Sequence, residues 1–155
     1  MTQKEIMGIV QSILDSVRAA VLTTVDRNGW PRARWMIPTI LPGHEGALYA
    51  VTSPHFSKVH DLSVHPEAEW MVQTIALNQI VNLRGRINIL DTPSLKTRVM
   101  EQIGNRLHAY WKLSGDATDY LLLETVITEA TLYLPMKGTK ETVCFEPVSR
   151  SAADS

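Results

Sequence analysis

The 155-residue sequence has little of several things, and each shortage excludes a class of function. It holds a single cysteine, Cys144. One thiol forms no intrachain disulfide and no cysteine-rich zinc site, which favours a reducing compartment. The formal net charge is −1, so the basic surplus that marks nucleic-acid binding is missing. No apolar run approaches the ~20 residues of a membrane span. The segment Met1–Gly8 is polar and amphipathic, without the apolar core of a signal peptide. These features predict a cytoplasmic protein with no nucleic-acid or membrane partner. G-x-S-x-G, H-E-x-x-H, the P-loop and the Rossmann glycine fingerprint are all absent.

What is present fits one domain over residues 1–149 with an ordinary core, followed by a small polar tail, 150–155, that reads as disordered. Ile6, Ile9, Val10, Ile13, Leu14 and Val17 recur at helical spacing. Ala19–Val25 reads as a strand, Asn28-Gly29 as a hairpin turn, and Pro31–Ile40 as the returning strand. Ala47–Thr52 is a third strand. Ser53 and Pro54 suit the cap and first position of a helix reaching Val64, with Phe56, Val59, Leu62 and Val64 facing inward. Strands follow over Ala68–Ile75 and Ile80–Leu90. A helix begins at Asp91-Thr92-Pro93 and ends at Gly104-Asn105. Asp116 caps a short helix through Leu123, and Thr125–Leu134 is the last strong strand. Strands in antiparallel neighbour order with a few helices predict an α+β fold built on a closed or nearly closed barrel.

His55, His60 and His65 are spaced by five, a rotation of about 140° per step on a helix, so they share no face and form no metal triad. Positive charge is more informative. Arg32 and Arg34 alternate along one strand and therefore share a face. Two unpaired guanidinium groups are too costly to bury in an apolar core. That face is either solvated or an anion site. Thr52-Ser53-Pro54-His55-Phe56-Ser57-Lys58 supplies three hydroxyls, a helix start and a lysine, the donors an anion needs.

In order and spacing, Val21–Arg34, Leu48–Leu62, His65-Pro66 and Leu83-Arg84-Gly85-Arg86 resemble the pyridoxamine-phosphate-oxidase-like family, in particular its general-stress-protein branch of flavin-binding split barrels. The resemblance spans about Ile6 to Leu134. It implies a six-stranded antiparallel split β-barrel with flanking helices, forming a homodimer with FMN at the subunit interface. By position, Arg34, Trp35 and Met36 match the strand that runs along the flavin. Val51 and Thr52 match the end of the next strand, and Ser57 and Lys58 the basic phosphate-binding turn. Gln79 matches a glutamine donated by the other subunit, with Arg32 as a helper. Trp111 lies in an insertion typical of this branch, where it either stacks near the flavin or packs as a surface tryptophan.

The sequence also departs from the family. Thr39 stands where the oxidase has a second lysine. No counterpart of the oxidase's arginine–histidine signature follows Leu134, which argues against pyridoxamine phosphate as substrate. No acid or base stands out, with Tyr49, His55 and Trp111 the nearest candidates. The resemblance implies an FMN-dependent oxidoreductase acting with a small electron donor or acceptor. The alternatives are a non-catalytic flavin binder or stress sensor, or the same barrel holding haem or deazaflavin.

Overall fold

A computed structural model describes residues 1–111 and 120–147, with side chains described through 104 and from 120 onward. Helix α1 (Gln3–Val17) opens on a capping box between Thr2 and Glu5 and buries Ile6, Met7, Val10, Ile13 and Leu14. Arg18 then ends it in the left-handed conformation, its N–H returning to the Leu14 carbonyl at 2.9 Å.

Strands β1 (Ala20–Val25) and β2 (Pro31–Met36) form the first hairpin. Its turn is larger than the two-residue Asn-Gly form. The Asp26 carboxylate accepts the N–H groups of Asn28 and Trp30 at 2.9 and 3.0 Å, and only Gly29 takes positive φ. Strand β2 stops at Met36 rather than Ile40, because Pro38 has no N–H to give a ladder. Beyond it, Thr39 exchanges two backbone hydrogen bonds of 2.8 Å with Tyr49 on β3 (Ala47–Thr52).

Helix α2 (Ser57–Val64) starts three residues later than its sequence suggests. Ser53 does not cap it. Its hydroxyl accepts the His55 N–H at 3.3 Å, and its carbonyl accepts the Phe56 N–H, closing a turn around Pro54. Of the four positions expected inward, Leu62 is buried and Val59 partly so, while Phe56 and Val64 are exposed.

Strands β4 (Glu67–Gln73) and β5 (Ile80–Leu90) form a long hairpin. Helix α3 (Pro93–Trp111) runs through Gly104-Asn105 instead of stopping there. Strand β6 (Leu121–Leu134) includes the three leucines expected to be helical. Their pairing with Ala50, Val51 and Thr52 overrides local preference. Strand β7 (Thr139–Cys144), absent from the sequence reading, pairs with the far half of β6. The proposed cap at Asp116 and the tail 150–155 lie outside the described residues.

All pairings are antiparallel, in the order β2-β1-β4-β5-β6-β3, with β7 also on β6. The fold is α+β, a split barrel as expected, with a seventh strand and a sheet that does not close. The main core joins α1 and Leu62 to the inner sheet face, with Trp70 fully buried and donating to the Thr125 hydroxyl at 2.9 Å. A second core packs Val99 and Ile103 of α3 on Tyr49, Val51 and Leu122. Among the described residues no helix is long and apolar enough to cross a membrane.

Candidate anion site

Antiparallel cross-strand partners share a sheet face. Arg34 pairs with Leu22, and Arg32 with Thr24. Leu22 is wholly buried in the main core. The two arginines therefore sit on the inward face of the sheet, where β2 is its edge, and not on a solvated outer face.

Their surroundings differ. The Nε of Arg32 donates to the Asp26 carboxylate at 3.1 Å. Arg34 is half-buried and donates only a long bond, 3.4 Å, to the Leu22 carbonyl. Burial draws its guanidinium below the usual range. Asp61 opposes that effect and Arg32 adds to it.

Helix α2 brings the second cation. Asp61, buried, accepts the Arg27 N–H at 3.3 Å and so ties α2 to the first hairpin. Lys58 lies one helical turn before Asp61, on the same side of α2. Burial, with the charge of Arg34, pulls its ammonium from 10.5 to about 8. Its Nζ lies 4.3 Å from the centre of the Phe56 ring. Among the described residues neither Arg34 nor Lys58 has a carboxylate within ion-pair distance. Two neighbouring partly buried cations without a counter-ion repel each other and attract an anion.

The same region offers neutral donors. No side chain caps the start of α2, where Ser57 is exposed. Thr52 is 2% exposed and among the described residues its hydroxyl has no partner. It shares the inward face of β3 with Leu48 and Ala50. Tyr49 turns its N–H and C=O toward Thr39. The two-residue period directs those of Val51 to the same open edge, beyond the single bridge.

The structure thus brings Arg34 and Lys58 together, with Thr52, Ser57 and Met36 on the elements around them. Other expected site residues stand apart. Trp35 points to the opposite face and is 57% exposed. The Val51 side chain is buried in the second core, leaving only its backbone at the seam. Gln79 lies in the β4–β5 turn, where its N–H donates to the Thr74 hydroxyl at 3.2 Å. The side chain of Trp111 lies outside the described residues. Sequence reasoning missed Asp61 and Thr24. Asp61 is one turn from Lys58, and Thr24 is a polar residue in a strand position that alternation assigns to the core.

A sequence model described as pyridoxamine 5'-phosphate oxidase matches residues 7–133. The chain belongs to that family. Solved structures agree on the fold. A Clostridium acetobutylicum protein related to general stress protein 26 of B. subtilis is 17% identical. It matches with a TM-score of 0.73 over 93% of this chain and 96% of that one. An FMN-binding, pyridoxamine 5'-phosphate oxidase-related protein of Nostoc punctiforme is 13% identical, with a TM-score of 0.61 over 90% and 96% of the chains. A haem-binding protein of Mycobacterium smegmatis is 16% identical, with a TM-score of 0.68 over 89% and 57%. No curated protein matches the sequence.

Proposed function

We propose that the chain is an FMN-binding protein of oxidoreductase type, working as a homodimer in a reducing, cytoplasmic compartment. The observation that carries the reading is the adjacency of Arg34 and Lys58, two cations that share no carboxylate partner. The residues fit a flavin phosphate. Arg34 and Lys58 would hold its charge, and the free N–H groups opening α2 its oxygens. Thr52 would give its orphan hydroxyl a partner. The Val51 peptide at the open edge suits a flat polar ring edge. FMN would supply one- and two-electron transfer. The protein's part is to anchor, orient and shield it. Arg32, held by Asp26, is left out of the grip.

Dimerisation is supported by the β4–β5 turn, which exposes Ile75 and Leu77 while Thr74 braces it internally. Such a tip on a partner would carry its Gln79 toward the flavin of the facing subunit.

A haem reading is favoured by one observation, the Mycobacterium smegmatis neighbour. Against it, the site is built from cations and hydroxyls, which suit a phosphate, and no histidine belongs to the Arg34–Lys58 pair. The absorption spectrum of the purified protein separates the two. The test of the grip is the double variant Arg34→Ala/Lys58→Ala. Its FMN affinity falls more than about tenfold while riboflavin affinity changes little. Equal loss for both ligands overturns the assignment. Turnover of NADH or NADPH with an electron acceptor distinguishes an enzyme from a sensor.

A further inference from the structure

We propose that Thr24 is a ligand-binding residue whose hydroxyl forms the floor of the anion site and bonds a phosphate oxygen held by Arg34 and Lys58. The inference rests on the phosphate reading given above and adds a residue to it.

Thr24 is 1% exposed, and among the described residues its Oγ1 has no hydrogen-bond partner. A buried hydroxyl left unpaired costs free energy, and such groups are few in native proteins. Its position explains what would pay that cost. Thr24 pairs across the sheet with Arg32, and so lies on the inward face that also carries Arg34. Helix α2 packs over β1 at this end, fixed there by the bond from the Arg27 N–H to Asp61. The side of α2 that carries Asp61 also carries Lys58, one turn earlier, and Lys58 feels the charge of Arg34. Thr24 therefore lies on the strand that α2 packs against, three residues before Arg27, and on the sheet face that bears Arg34. Thr52, the other buried hydroxyl without a partner among the described residues, faces inward from β3. The two hydroxyls would line the inner side of the site, and the cations its mouth.

The proposal gives Thr24→Val two effects of opposite sign. Valine keeps the shape and removes the hydroxyl. In ligand-free protein the orphan group disappears, so Tm stays level or rises by a few degrees. With ligand, a phosphate bond is lost and FMN affinity falls by roughly five- to tenfold, with riboflavin unchanged. Thr24→Ser, which keeps the hydroxyl, stays within about twofold of wild type for FMN by the same reasoning.

The measurements are thermal unfolding of the ligand-free full chain and fluorescence titration with FMN and riboflavin. Thr24→Val that binds FMN like wild type overturns the role of Thr24. If wild type still prefers FMN and loses that preference in Lys58→Ala, the phosphate reading stands without Thr24. A clear drop in the Tm of ligand-free Thr24→Val also overturns it, because the hydroxyl would then already serve the fold. A wild type that binds FMN and riboflavin equally overturns both readings.

Discussion

Lys58 on α2 stands beside Arg34 on β2, and burial together with that guanidinium holds its ammonium at about 8. In the unfolded chain it returns to 10.5. Between these values the unfolded state binds more protons, so the stability of ligand-free protein rises with pH across that window. Below pH 8 the cost of the buried charge is fully present. Denaturant unfolding at pH 7 and pH 9.5 checks the sign. Lys58→Met removes the cost and stabilises ligand-free protein at pH 7 by about 1 kcal/mol, a figure reduced for solvent screening.

The proposed FMN complex carries the opposite slope. A phosphate bound by charged Lys58 must take up a proton with it once the pH exceeds about 8. FMN affinity then falls by up to about tenfold per pH unit above that point. Riboflavin affinity stays flat, and Lys58→Met abolishes the slope for FMN. Fluorescence titrations between pH 7 and 9.5 measure all three.

The turn joining β4 and β5 places Ile75 88% exposed and Leu77 49% exposed, with Leu77 at φ 58°. Exposed apolar residues on a braced turn suit burial against a second subunit. If the proposed homodimer forms through this turn, Ile75→Asp yields a monomer in light scattering and lowers FMN affinity, while far-UV circular dichroism is unchanged. A variant that remains dimeric excludes this contact.

Gly85 marks the irregularity between β5 and β6. A Cβ there would meet the carbonyl of Val126, with the carbonyl carbon at 2.9 Å and the Thr125 Cγ2 at 3.0 Å. These neighbours lie in the long central ladder and have little room to move. Gly85→Ala therefore destabilises by about 3 kcal/mol or more, seen as a lower urea midpoint.

Periodicity revealed the elements that bury one side. Helix α1 follows its apolar stripe, and the alternation of Arg32 and Arg34 correctly puts them on one face. What alternation alone could not say is that this face points inward, because that depends on the register of β1 against β2. Leu121–Leu123 become strand through pairing with β3, a partner some 70 residues away in the chain. Strand β7, with Thr139, Lys140, Glu141 and Thr142 all exposed, has little apolar pattern to announce it. The anion site was legible as a list of donors, while its members were not. Arg32 is diverted by Asp26, and the unpaired hydroxyl of Thr24 emerges only from the packed fold.

The bridge between Thr39 and Tyr49 is a single stitch between the β2 side and β3. Elsewhere neighbouring strands are laced by several consecutive pairs, so prying the barrel apart there would break a whole ladder. At this seam the ladder among the described residues is two backbone hydrogen bonds. Local opening is thus expected to start along this line while the longer ladders stay zipped. Amide hydrogen exchange reads this as early labelling of Thr39 and Tyr49, against late labelling of the central β4–β5 and β5–β6 pairs.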